Sequence, residues 1–334
     1  MNLQTLFFLC LLPVSALAQP GVFRVIDISP GVYYLTPGNE TPKLLGPGDK
    51  LESDCTLLLD EHEKAHLVYK ETSLTFTTPG SFRLERYARE AEERTTQRPG
   101  LFRQFFQWVY GGVSDADSEK DLERSHEKYI TQNKGGTKGF AGGSYGIDVL
   151  SPVVGKIQPG AVHFAWRSAG PEMLYDFQLL DYQTEGVLCK ALLRDTVFEI
   201  DLGKLALEPG RQYYWVVYQK EMDQDSPVFM LADEPSLRSP RLTLVPNEGS
   251  LEEVRMRVRA GEDYRDLPDD ISRDLMELMV LEDEQYIMAA YRGYEELQQK
   301  YPGNSLVDKM LASFLSRQGL LEAAKLQLQR SASH

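Results

Sequence analysis

Apolar residues recur at every second position from Val22 to Tyr87 and again from Gly146 to Pro246. From Ser250 onward they recur every three to four positions. A period of two is that of a strand with one buried face, and a period of 3.6 that of a helix with one buried stripe. A chain with this switch predicts two β regions followed by a helical one. Its 334 residues are enough for two or three separate cores.

In the first region "VFRVIDI", "GVYYL", "TLLLD", "AHLVYK", "SLTFTT" and "SFRLERY" read as strands, with Leu74, Phe76, Phe82 and Leu84 facing inward. The separators "TPGN", "GPGD" and "TPG" are turn formers, because Pro presets φ and Gly accepts positive φ. The order from "GVYYL" through "KLLGPGDKL" to "SLTFTTPGSFRL" resembles the FecR-like periplasmic β domain of bacteria. That family includes transmembrane regulators that relay a signal from an outer-membrane transporter to a sigma factor. The present chain offers no membrane span for that role.

Residues 88–130 change character. "AREAEERTTQR" reads as a charged helix, and Phe102, Phe105, Phe106 and Val109 fall at helical spacing, as on a helix packed against a core. "SDADSEKDLERSHEKY" reads as solvated, with an acidic loop at residues 115–121 that lacks the Gly and Glu spacing of a calcium loop. The Gly-rich residues 133–146 read as a linker.

The second β region pairs Val162, Phe164 and Trp166 on one face, as it does Tyr175, Phe177 and Leu179. Phe198, Ile200 and Leu202 form a third set, and Tyr213, Trp215 and Val217 a fourth. Short strands at this spacing predict a two-sheet β-sandwich. The phrase "LEPGRQYYWVV" resembles the late strands of fibronectin-III-like and immunoglobulin-like modules, and implies that these aromatics fill a core.

After Pro246, Ser250 and Glu253 have capping-box spacing. Ala290 and Ala324, like Leu281 and Leu315, lie 34 residues apart, which with Tyr301-Pro302-Gly303 between helix pairs resembles the tetratricopeptide repeat. About two such pairs are present where about three are needed for independent stability, so they are expected to lean on the sandwich or on a partner. The resemblance implies that Lys309, Ser313 and Ser316 face the concave side and contact a protein partner.

Chemistry is sparse. His62-Glu63-Lys64-Ala65-His66 fits H-E-x-x-H, which on a helix would offer two zinc ligands and a general base. Its flanks alternate like strands, and Lys64 would repel a metal cation, so the string reads as the solvated turn of a hairpin. Cys55 and Cys189 could form a disulfide in an oxidising compartment, with two free thiols the favoured reading.

The net charge of −14 argues against nucleic acid or anionic lipid as partner. The start, "MNLQTLFFLCLLPVSALAQP", has the short apolar run and Ala-Leu-Ala of a secretory signal. The resulting expectation is a multidomain chain, mainly β with an α tail. Its parts are a signal at 1–18, a small β domain at 19–88, a helical and Gly-rich segment at 89–146, a sandwich at 147–246 and helical repeats at 247–334. It is expected to be exported to the periplasm or cell surface, with no transmembrane span but with room for peripheral association with the envelope. No catalytic residue, metal ligand or cofactor is expected. The expected role is a non-enzymatic binding or assembly protein acting through its C-terminal helices. An envelope-signal regulator is the alternative, and a zinc peptidase using His62, Glu63 and His66 the third reading.

Overall fold

The computed structural model describes residues 21–94, 100–132, 149–151, 155–166, 174–220, 241–244, 248–318 and 320–331. The expected signal and the Gly-rich linker lie outside them. The chain forms β sheets, then further strands, then a C-terminal helical region.

The first β region comprises β1 (Val22–Ile28), β2 (Tyr33–Leu35), β3 (Lys43–Leu44), β4 (Lys50–Glu52), β5 (Thr56–Leu59), β6 (Ala65–Tyr69), β7 (Thr72–Phe76) and β8 (Gly80–Arg83). They build two four-stranded antiparallel sheets, ordered β4-β1-β6-β7 and β3-β2-β5-β8. Phe23, Val25, Leu57, Leu67 and Tyr69 fill the core of this region. Strand β6 is buried along its whole length. Ala65, Leu67 and Tyr69 belong to that core, while Val68 joins the helical core, as does Ile26 of β1. The β domain is therefore apolar on two faces, and the second face needs a cover.

Helices supply it. The expected strand "SFRLERY" ends at Arg83, and α1 (Leu84–Arg94) begins at once. Leu84, Ala88 and Ala91 are buried at helical spacing, and this outcompetes the two-residue alternation of Phe82 and Leu84. Next come α2 (Leu101–Asp115) and α3 (Glu119–Gln132). Phe105, Phe106, Val109 and Val113 of α2 are fully buried, and the polar stretch that follows is mostly exposed, with Ala116, Leu122 and Ser125 turned into the core. In place of an acidic loop at 115–121, Asp115 closes α2 and Asp121 lies in the first turn of α3.

The second β region has a five-stranded and a three-stranded sheet. Its strands are β9 (Val149–Ser151), β10 (Gly155–Ile157), β11 (Ala161–Trp166), β12 (Leu174–Asp181), β13 (Val187–Leu193), β14 (Val197–Asp201), β15 (Gln212–Lys220) and β16 (Arg241–Leu244). The orders are β10-β16-β15-β12-β13 and β14-β11-β9. One aromatic core joins the two sheets, with Phe164 and Trp166 meeting Tyr175, Phe177 and Trp215 in edge and stacked contacts.

The C-terminal helices are α4 (Glu248–Ala260), α5 (Glu262–Arg265), α6 (Asp270–Asp283), α7 (Ile287–Lys300), α8 (Ser305–Arg317) and α9 (Leu321–Ser331). Because α4 starts at Glu248, Ser250 sits inside its first turn and does not cap it. α6 packs on α7 and α8 on α9. Ala290 and Ala324 are fully buried, and at Gly293 a Cβ would stand 2.3 Å from the end of the Leu278 side chain of α6, which would have to shift to admit it. These helices do not lean on the second β region alone. α2 and α3 cover α8 and α9 in one continuous core. The helical body is thus assembled from two chain segments with the second β region between them in sequence. That region touches the body near α7, where Lys156 N–H donates to Gln285 O (2.6 Å) and Arg292 to Ala161 O (2.9 Å). No helix among the described residues is long and apolar enough to cross a membrane.

Candidate functional site

The H-E-x-x-H string is extended. Glu61 and His62 form a turn, with His62 exposed at φ 72°, and β6 starts at Ala65. β5 and β6 lie in different sheets, so this turn crosses from one sheet to the other and is not the tip of a paired hairpin. Glu63 Oε2 accepts from Asp60 N–H (2.7 Å), and Lys64 Nζ pairs with Asp27 (2.7 Å). The two imidazoles share no helical face. Among the described residues no group of three or more His, Cys, Asp or Glu is placed to hold a metal ion.

His66 has a different setting. Strand alternation turns it toward the helices, where it is 3% exposed and meets the Phe106 ring edge-on. A polar ring can be buried there because both nitrogens have partners. Nδ1 lies 2.6 Å from Asp269 Oδ2 and Nε2 lies 2.7 Å from Ser73 Oγ. Asp269 is the N-cap of α6, its Oδ1 accepting from Ser272 N–H (2.7 Å). Burial works to raise the Asp269 carboxyl, but the bonds from His66 and Ser272 outweigh it and hold the group below its ordinary value. An ionised Asp269 only accepts, so Nδ1 carries a proton, and in the neutral ring Nε2 accepts from the Ser73 hydroxyl. Sequence reasoning missed this constellation because Asp269 lies 203 residues from His66, and Ser73, seven residues on, is an ordinary strand serine.

A depressed folded pKa contributes stability that is full above the unfolded value and is lost as pH falls through the folded one. The Asp269 contribution should therefore be intact at neutral pH and disappear below about pH 4, the ordinary Asp value. In Asp269→Asn the acid limb of a stability-versus-pH curve, followed by urea denaturation, is expected to flatten. An unchanged limb would contradict this.

A second set of contacts fixes the β domain to the helices. Arg24, buried in β1, is gripped by Asp117 (Nη1–Oδ1 2.6 Å) and donates to Ser114 Oγ (3.0 Å) at the end of α2. Lys309 of α8 donates to Gly48 O (2.8 Å) and lies 3.7 Å from Asp117. Burial holds its ammonium below the ordinary lysine value, with Asp117 opposing that shift. Ser313 accepts from Arg317 (2.7 Å), and Ser316 Oγ donates to Leu122 O of α3 (3.2 Å); both serines are fully buried. The structure does bring Lys309, Ser313 and Ser316 to one face of α8. That face is occupied by the chain's own β domain, α2 and α3, which corrects the expectation that it is open to a partner.

Exposed apolar side chains gather elsewhere. β13 and β14 are edge strands of the two sheets of the second β region, joined by Arg194-Asp195-Thr196. Val187, Leu188, Leu192 and Val197 on these strands are exposed, three of them by more than 50%. The sequence hid this because "VLCKALL" lacks polar alternation, so neither face announces itself as the wet one. Cys189, half-buried on β13, and Cys55, buried in the first β region, are both free.

No protein-family model matches the chain, and no curated protein matches its sequence.

Proposed function

We propose that the protein is an exported bacterial binding or assembly factor that works at the periplasmic side of the envelope or at the cell surface. The observation that carries this reading is the apolar strip on β13 and β14. An edge strand offers unpaired backbone N–H and C=O groups, and apolar side chains beside such an edge are a surface that proteins normally protect. The described helical face of Lys309, Ser313 and Ser316 is spoken for within the chain, so partner contact moves from the C-terminal helices to this strip. The shared aromatic core of the second β region supports its likeness to fibronectin-III-like or immunoglobulin-like modules. The paired α6–α9, with Ala290 and Ala324 buried, support the tetratricopeptide likeness, and the paired sheets with positive-φ Gly38 and Gly48 at their turns support the FecR-like one.

Leu188→Lys with Leu192→Lys tests the reading. Both side chains are exposed, so the free energy of unfolding is expected to stay within about 0.5 kcal/mol of wild type for each substitution. The complex that wild type forms in native envelope extracts, read by size-exclusion and crosslinking, should be lost. A complex of unchanged size would sink the assignment to this strip.

The second reading, an envelope-signal regulator, has its own observation. Tyr33 and Leu44 are direct cross-strand partners on β2 and β3 and are both exposed, 42% and 63%. A signal-giving partner would meet the first β region there.

A further inference from the structure

We infer that Ser73 is an acylable nucleophile, activated by His66 and Asp269, toward small carboxylic esters. Asp269, His66 and Ser73 form a continuous chain of hydrogen bonds. Its Asp end is buried at the cap of α6, and its Ser end is half-buried on the edge strand β7. This is the order of roles in which a carboxylate fixes the tautomer of an imidazole and the imidazole takes a hydroxyl proton.

A hydrogen-bonded pair that only needed satisfying could lie entirely inside. Here the hydroxyl end belongs to a half-buried residue on a strand that forms the edge of its sheet among the described residues.

The step balances with water as the only co-reactant. Ser73 Oγ adds to the ester carbonyl carbon, and its proton passes to His66 Nε2. The tetrahedral alkoxide collapses, the C–O bond to the alcohol breaks, and the alcohol leaves with the proton from Nε2. Water then adds to the acyl-Ser73 by the same proton path and releases the acid. Nothing is oxidised or reduced. The charge of −14 disfavours anionic esters.

The test is labelling of the full-length mature protein with a fluorophosphonate, with peptide mass mapping and a parallel p-nitrophenyl acetate assay. Wild type is expected to carry the label at Ser73, and Ser73→Ala to carry none there. His66→Gln and Asp269→Asn are expected to label at least about 100-fold more slowly. Absence of label at Ser73 in folded wild type, or equal rates in folded His66→Gln, would overturn the inference and leave the chain as a structural tie.

Should the two buried variants lose their near-UV circular dichroism, Ser73→Cys gives an independent readout. Its alkylation by iodoacetamide, mapped apart from Cys55 and Cys189, should persist at least one pH unit below that of an ordinary thiol, about 8.5. An ordinary profile would overturn the inference as well.

Discussion

Asp117→Ala is expected to lower the stability of the protein by about 3–5 kcal/mol, the usual cost of removing one partner of a buried ion pair. Arg24 has 4% of its side-chain surface exposed, and Asp117 contacts it through both carboxylate oxygens. Once the carboxylate is gone, the guanidinium keeps only Ser114 Oγ and the face of the Tyr110 ring, at 5.8 Å. The Lys309 ammonium also loses its counter-charge and is left near a second cation. Asp117 itself keeps 27% exposure, so water can reach part of the vacated site, which favours the lower end of the range. Arg24→Met is the informative contrast. It removes the buried charge together with its desolvation cost and leaves Asp117, which keeps 27% exposure and Lys309 at 3.7 Å, so it is expected to cost less than Asp117→Ala. Urea denaturation of both variants checks this. Equal losses would mean that the ion pair is not what holds β1 to the end of α2.

The second large effect is expected at Gly48. Its φ is +79°, and a Cβ there would stand 2.8 Å from the backbone nitrogen of Leu306 and 3.1 Å from its Cα. Neither atom can swing aside, because Leu306 is in the first turn of α8, capped by the Asn304 side chain. Gly48 N–H also donates to Val25 O (2.8 Å), and its carbonyl accepts from Lys309. Gly48→Ala therefore adds a left-handed backbone cost of roughly 1–2 kcal/mol to an overpacking cost of roughly 1–3 kcal/mol. The expected consequence is a protein whose β domain separates from α8, seen as faster amide exchange in β1 together with α8 relative to α6. At Gly38, where φ is +73° but no atom lies within 4 Å of the same Cβ, substitution should cost only the backbone part.

Much of the layout can be read in the residues. The four inward sets, Val162/Phe164/Trp166, Tyr175/Phe177/Leu179, Phe198/Ile200/Leu202 and Tyr213/Trp215/Val217, all meet in one core. There, period-two alternation is plainest in β11, where Ala161 and His163 are exposed between the buried side chains, while β12 is buried on both faces. The aromatic stripe of α2 was equally plain. Its partner was not, since Phe105 and Met310 are about two hundred residues apart and nothing local in either segment names the other. The same distance hid the site. The H-E-x-x-H string drew notice to His62 and His66 together, although strand geometry sends them to different places. The partners of His66 are a serine in an unremarkable "TSLTF" and an aspartate in "PDDIS". The serines of α8 misled for a related reason. Position within a repeat says which face a residue occupies, and only tertiary packing decides whether that face is empty.

Because α2 finds much of its cover in α8, the part of its apolar stripe that the β domain does not meet stays bare while the whole intervening region is being synthesised. The helical body can close only when nearly the last residues have arrived. A ribosome stalled anywhere before α8 holds a finished β domain trailing an adhesive helix, and the middle strands must complete their own fold before the two ends of the body come together around them.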